Sequence, residues 1–86
     1  MKPLAIPTVH LNGTSQSELL NQQTDAAQAI FKAMNALNDA SPNGRDYYPQ
    51  GPDAFKKAQK EHADRMQRLR SVYEELQQIA EGIAGQ

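Results

Sequence analysis

Residues 42–52 decide the fold of this 86-residue chain, and they read Pro42-Asn43-Gly44-Arg45-Asp46-Tyr47-Tyr48-Pro49-Gln50-Gly51-Pro52. Proline cannot donate the amide hydrogen bond that a helix interior needs, and it disfavours helical geometry in the residue before it. A helix that precedes this stretch therefore ends near Ser41, and a new helix can begin after Pro52. We call residues 42–52 the connector. It is longer than most links between helices, and its prolines predict a fixed shape.

The residues before the connector predict one helix over residues 15–40. Ser15 and Glu18 fit a capping box at its start, in which the serine hydroxyl accepts a hydrogen bond from a first-turn amide. Apolar and small residues then recur three and four positions apart, which is the spacing of one helix face. The face contains Leu20, Gln23, Ala27, Ile30, Met34 and Leu37, widened by Leu19, Ala26, Ala33 and Ala40.

The residues after the connector predict a second, longer helix over residues 53–83. Asp53 lies where a negative charge favours the helix dipole. Apolar positions recur at heptad spacing, as in helices that pack along one another. They are Phe55, His62, Leu69, Leu76 and Ile83, followed three residues on by Ala58, Arg65, Val72 and Ile79, with Met66, Tyr73 and Ala80 beside them. We expect the last two residues, Gly85 and Gln86, to fray.

Together these segments predict an all-α protein, a single domain over residues 1–86. It is a helical hairpin of two long amphipathic helices with an extended N-terminal arm over residues 1–13, where Pro3 and Pro7 exclude a helix. The chain is 38% hydrophobic and has five aromatic residues and no Trp. One hairpin thus has little apolar bulk to offset chain entropy. We therefore expect it to assemble into a homo-oligomeric bundle.

Composition and motifs limit the compartment and the chemistry. The chain has no Cys, which suits a reducing compartment and excludes thiolate metal sites and cysteine nucleophiles. Its N-terminus has too short an apolar stretch for a signal peptide or a membrane span, so we expect a cytoplasmic protein with no membrane partner. His10 and His62 lie in different segments without metal-binding spacing. We therefore expect no metal site, no cofactor and no enzymatic activity.

The second helix carries a polar interruption of its apolar face at His62 and Arg65. Burying an imidazole or a guanidinium costs free energy unless the group is hydrogen-bonded or paired. These side chains either form a polar layer that sets the register of packed helices, or they contact a bound ligand. His10 and Asn12 of the arm are candidates to complete such a ligand site.

The connector holds a second candidate ligand site, formed by Arg45, Asp46, Tyr47 and Tyr48. A tyrosine ring can stack on a base, and a guanidinium can hold a phosphate with two hydrogen bonds, so the cluster suits a nucleotide-like ligand. Alternatively, one tyrosine covers the open end of the hairpin, and Arg45 pairs with Asp46 or caps the first helix. The sequence leaves both interpretations open.

Basic residues are concentrated in the second half of the chain, where seven of the nine Lys and Arg lie between Arg45 and Arg70. Those on the second helix do not share one face, and acidic residues are interspersed among them. A solvated surface is more typical of this pattern than a helix that reads a DNA groove. We therefore do not expect DNA as a partner.

Three stretches resemble a group of short uncharacterised proteins encoded by tailed bacteriophages. They are Pro7-Thr8-Val9-His10-Leu11-Asn12-Gly13-Thr14-Ser15, Asn43-Gly44-Arg45-Asp46-Tyr47-Tyr48 and Glu61-His62-Ala63-Asp64-Arg65. Phages also encode small helical oligomers that sequester cyclic-nucleotide or cyclic ADP-ribose-type signals of bacterial immunity. The chain is similar to these in size and hairpin layout, which is a likeness of architecture alone.

The resemblance implies a non-enzymatic binding protein in the cytoplasm of a bacterial host. Its homo-oligomer would bind a nucleotide-derived signal in pockets between subunits and so counter host defence. The residues expected to line these pockets are Arg45, Asp46, Tyr47, Tyr48, His62, Arg65, His10 and Asn12. The alternative is a helical interaction or inhibitor protein that docks on a host or phage protein through its apolar face and needs no small-molecule ligand.

Overall fold

The structure is a computed structural model that describes residues 3–86. Within that range the protein is all-helical, with two long helices, α1 (Gln16–Asp39) and α2 (Ala54–Ala84), and no strand. The helices run antiparallel and pack against each other in a rod of 62 × 25 × 16 Å. The predicted all-α hairpin is confirmed. Neither described helix is both long and apolar enough to cross a bilayer. Met1 and Lys2 of the predicted arm lie outside the described residues.

Local interactions set the ends of both helices. The Ser15 hydroxyl accepts a hydrogen bond from the Glu18 amide at 3.2 Å, which satisfies one of the unpaired donors of the first turn. α1 ends at Asp39, three residues before Pro42. α2 begins at Ala54 and ends at Ala84, so the helix begins and ends one residue later in the chain than predicted.

The connector forms two short 3-10 turns, Gly44–Asp46 and Tyr48–Gln50. The Asn43 side-chain oxygen accepts a hydrogen bond from the Arg45 amide at 3.1 Å and so closes the first turn. Gly51 then adopts φ 113° and ψ 171°, a combination that is essentially restricted to glycine. The connector therefore has a defined path between the two helices.

The core is a narrow seam between the helices. Ile83 is fully buried and Ala58 is 9% exposed, whereas the other inward residues are half-buried. From α1 they are Gln16, Leu20, Gln23, Ala27, Ile30, Met34 and Leu37, and from α2 they are Phe55, His62, Met66, Leu69, Tyr73, Leu76, Ile79 and Ala80. Only one large side chain is thus fully withdrawn from solvent among the residues described.

The inward face of α2 differs from the prediction at Arg65 and Val72, which are exposed. Met66 and Tyr73, each one position further along, face α1 instead. A straight helix has 3.6 residues per turn, so a heptad stripe drifts around its axis. The residue that faces α1 one turn after His62 is therefore Met66, four positions along the chain. Arg65, three positions along, lies outside the seam.

Residues 3–15 form neither helix nor strand, and residues 6–9 contact the C-terminal end of the chain. Ile6 packs on Gly82, where an added Cβ atom would come within 2.9 Å of the isoleucine side chain. The Gln86 side chain accepts a hydrogen bond from the Val9 amide at 2.8 Å and donates one to the Pro7 carbonyl at 2.6 Å. Gln86, which we expected to fray, is thus tied to the N-terminal segment.

Candidate functional site

An apolar groove runs along one side of the hairpin between α1 and α2. It has a volume of about 450 Å³ and is lined by six residues of α1 between Gln23 and Lys32 and by four residues of α2 between Tyr73 and Ala80. Its apolar lining consists of Ala27, Phe31, Tyr73, Leu76 and Ala80. We call it the Phe31 groove, because Phe31 is its largest exposed apolar side chain.

Phe31 is 52% exposed although it lies next to the seam. Its ring centroid is 6.1 Å from that of Tyr73, at an interplanar angle of 44°, within the range of favourable aromatic pairs. Gln77 donates a hydrogen bond to the Tyr73 hydroxyl at 3.1 Å and thereby orients the second ring. Since Ala27 and Ala80 carry only methyl groups, the groove stays open beside the two rings.

The groove also contains an unpaired polar atom. The Gln23 side-chain oxygen is buried, and no hydrogen-bond donor among residues 3–86 reaches it. Leaving such an acceptor unpaired costs on the order of 1–3 kcal/mol.

The connector separates its two tyrosines. Tyr47 is half-buried, and its ring lies 6.3 Å from that of Phe55, so it covers the end of the hairpin. Tyr48 is 76% exposed, and Arg45 and Asp46 are exposed as well. In the described part of the chain the ion pair is Asp64–Arg68 at 3.0 Å, so Arg45 is not paired with Asp46. The connector thus presents Arg45 and Tyr48 to solvent.

His62 has a structural partner at the connector end of the seam. Its Nε2 atom lies 3.1 Å from the Ser41 hydroxyl oxygen. That hydroxyl has one proton, which it donates to the Asn38 carbonyl at 2.6 Å, so the Nε2–H group donates to Ser41. The contact joins the C-terminal end of α1 to α2, and it accounts for the polar position without a ligand.

One chain does not bring the eight predicted ligand residues together. His62 and the connector residues Arg45, Asp46, Tyr47 and Tyr48 lie at one end of the rod. His10 and Asn12 lie at the other end, where the N-terminal segment contacts Gln86. The 31 residues of α2 separate the two ends by about 45 Å. Arg65 is exposed between them, in a shallow depression with Leu37, Arg68 and Leu69.

Phe31 is absent from the residues that the sequence pattern selected. It lies four positions after Ala27 and three before Met34, spacings that place it along the edge of the predicted apolar face. A large aromatic residue at the edge of an apolar face is the sequence feature that could have identified it. Whether such a ring is covered depends on the side chain opposite it. Here the opposing Tyr73 covers it only in part.

Comparison with known proteins assigns the chain to no family. No protein-family model matches it, and the searches of curated proteins and of solved structures found no match. Within residues 3–86, no three His, Asp or Glu side chains are grouped to hold a metal ion. The functional assignment therefore depends on the geometry of the Phe31 groove and of the connector.

Proposed function

We propose that this protein is a non-enzymatic helical interaction protein that binds another polypeptide along the Phe31 groove. The observation that carries the proposal is the half-exposed Phe31 ring in an elongated apolar groove between two helices. A groove of this form suits an amphipathic helix, which would place its apolar side chains between α1 and α2. We assign no catalytic residue, because the two histidines lie at opposite ends of the rod.

The free energy available at the groove supports this role. Covering the exposed half of a phenylalanine contributes about 1 kcal/mol. Tyr73 and Leu76 add further apolar surface along the same line. Because aromatic anchors dominate most protein interfaces, Phe31 and Tyr73 are the residues expected to carry the affinity.

The resemblance to short tailed-phage proteins supports a location for the proposed interaction. Under this proposal the protein acts in the cytoplasm of a bacterial host, and its partner is a host protein, a phage protein or another copy of the chain. The groove requires only that the partner present an apolar helical face.

Photo-crosslinking tests the interaction directly. We would incorporate benzoylphenylalanine at Thr24 or Gln28, which line the groove, and at Gln67, an exposed α2 residue outside it, as the control. We expect a covalent adduct with a polypeptide from the two groove positions and none from the control. If neither groove position yields a polypeptide adduct, in bacterial cells or with the purified protein, the proposal is wrong.

The second candidate function is sequestration of a nucleotide-derived immune signal between subunits. Its supporting observation is the exposed Tyr48, which follows the exposed Arg45 by three residues on the connector. A base could stack on Tyr48 while Arg45 holds a phosphate. His10 and Asn12, on the predicted extended arm, could join this site only from a second subunit, since they lie at the opposite end of their own chain.

Thermal-shift measurements with cyclic dinucleotides and ADP-ribose derivatives test this second function. A ligand present at 100 times its dissociation constant would stabilise the fold by about 2.7 kcal/mol. Arg45→Ala and Tyr48→Ala should abolish that stabilisation without lowering the melting temperature of the free protein. Lys57→Ala, which removes an exposed charge from α2, should preserve it. An unchanged melting temperature across all ligands would exclude this function for the compounds tested.

A further inference from the structure

We propose that the polypeptide in the Phe31 groove is a second copy of the same chain. The two copies dock face to face and antiparallel, with α1 over α1 and α2 over α2, and they form a four-helix bundle. This inference rests on the proposed function and identifies its partner. Charge, shape and area each support the arrangement.

Five exposed charged residues flank the groove, and four of them are sorted by sign along its length, while the fifth, Glu74, lies near its middle. Lys32 and Arg70 lie towards the connector, whereas Asp25 and Glu81 lie towards the chain termini. Lys32 lines the groove. The other four are each three or four residues from a lining residue, which places them on the same side of their helix. The face therefore has a positive end and a negative end.

Antiparallel docking joins these opposite ends twice in one dimer. It places Lys32 beside Asp25 of the second copy and Arg70 beside Glu81 of the second copy. It also brings the two Glu74 side chains near each other, one unfavourable contact against four favourable ones. Parallel docking would instead set α1 over α2 of the second copy, with Asp25 against Glu81. Lys32 would then lie between Arg70 and Glu74, so its favourable and unfavourable contacts would largely cancel. Each exposed pair contributes only about 0.2–1 kcal/mol, so the charges select the orientation more than they supply affinity.

The contacts within the hairpin locate the two-fold axis. Phe31 lies at the same height along the rod as Tyr73. Because the two helices are antiparallel, Gln28 lies at the height of Leu76, about one turn closer to the chain termini. Gln28 is three residues after Asp25 and four before Lys32. A two-fold axis that runs across the helices beside Gln28, between the two copies, therefore places the negative end of one copy over the positive end of the other. The same level is the middle of the groove, whose α1 lining spans residues 23–32.

The groove is complementary in shape to itself about this axis. Phe31 lies one turn from the axis on one side, and Ala27 and Ala80 lie within about one turn of it on the other. Each Phe31 ring therefore enters the space above the two alanines of the second copy, as a large side chain enters a hole between small ones.

The area of the face is sufficient for a dimer. The 24 residues of α1 extend about 36 Å, and two adjacent helices are about 20 Å wide. The face thus offers about 700 Å² per copy, close to the roughly 800 Å² that each partner of a stable complex buries.

The connector of one copy also comes level with residues 10–13 of the other. This arrangement brings Arg45 and Tyr48 to the same end of the bundle as the second copy's His10 and Asn12.

Disulfide crosslinking tests the arrangement, because the chain has no cysteine. Asn21, Gln28 and Asn35 are exposed and lie one heptad apart on the groove side of α1. Gln28→Cys lies at the axis, so we expect most of this variant to form a disulfide-linked dimer. Asn21→Cys and Asn35→Cys should each stay unlinked alone and should link when mixed. Gln67→Cys, on the outer side of α2, should stay unlinked.

Several results would overturn the inference. One is a monomeric mass for the unsubstituted chain at 100 µM in sedimentation equilibrium, and another is the absence of a Gln28→Cys dimer. Linking only between Gln28→Cys and Gln77→Cys would show a parallel dimer and reject the orientation. If photo-crosslinking at Gln28 captures a different protein while Gln28→Cys stays unlinked, this inference fails and the interaction function stands.

Discussion

Phe31 and Tyr73 form an aromatic pair across the middle of the hairpin, with ring centroids 6.1 Å apart, and yet Phe31 keeps 52% of its surface exposed. The pair joins α1 to α2 and at the same time presents an apolar ring to a partner. The same residue therefore contributes to the fold and to the proposed interface, and the two contributions can be measured separately.

Phe31→Ala should weaken self-association roughly 10- to 100-fold, because each dimer loses two rings and a tenfold change corresponds to about 1.4 kcal/mol. The fold of the single chain should lose only about 1 kcal/mol, since half of the ring is already in solvent. Sedimentation equilibrium measures the first quantity and urea unfolding the second. The control is Val72→Ala, which truncates another exposed apolar residue, 40% exposed and outside the groove. Equal effects of both variants on association would contradict the assignment of the groove.

Charge exchange at Lys32 and Asp25 should reveal the antiparallel pairing. Lys32→Glu alone and Asp25→Lys alone should each weaken the dimer several-fold, because each creates two like-charge contacts. An equimolar mixture of the two variants should dimerise about as well as the original chain, since both contacts again join opposite charges. The difference should shrink in 1 M salt, where surface charges are screened. A mixture that associates no better than the separate variants would exclude this pairing.

Gly82 and Ile6 should show strong energetic coupling. A Cβ atom at Gly82 would lie 2.9–3.0 Å from three carbon atoms of Ile6, so Gly82→Ala should strain this contact by about 1–3 kcal/mol. In the Ile6→Ala background the strain is absent, and the better helix propensity of alanine should stabilise the fold by up to about 1 kcal/mol. A double-mutant cycle measured by urea unfolding gives the coupling. Additive effects would mean that the N-terminal segment does not pack on α2 in solution.

Gly51 should be the least replaceable glycine of the connector. Its φ of 113° lies in a region that L-residues rarely adopt, so Gly51→Ala should destabilise the fold by about 1–3 kcal/mol. Gly44→Ala is the matched control, because its added Cβ atom would meet only Phe55 at 3.7 Å, an ordinary contact. Thermal unfolding should separate the two variants clearly. Equal melting temperatures would indicate that the connector takes another path in solution.

The candidate site could be predicted from the sequence only in part. Arg45 and Tyr48 are exposed at the connector, where adjacent prolines indicated a fixed segment. The pattern could not show that His62 already has Ser41 as a partner, or that His10 lies at the far end of the rod. Those facts depend on which distant residues meet, and residue spacing along one segment carries no information about that.

The sequence by itself determined the two helices, their approximate ends and the connector between them. The reason is that capping at Ser15, the proline at 42 and the spacing of apolar residues act within a few residues of one another. Only the tertiary structure decided how α2 is rotated about its axis, which turned Met66 and Tyr73 inward and left Arg65 in solvent. The same rotation opened the groove beside Phe31. Such rotations are set by the packing of side chains from distant segments. Several neighbouring rotations of one helix have comparable packing energies, and the contacts made when the two helices meet decide between them.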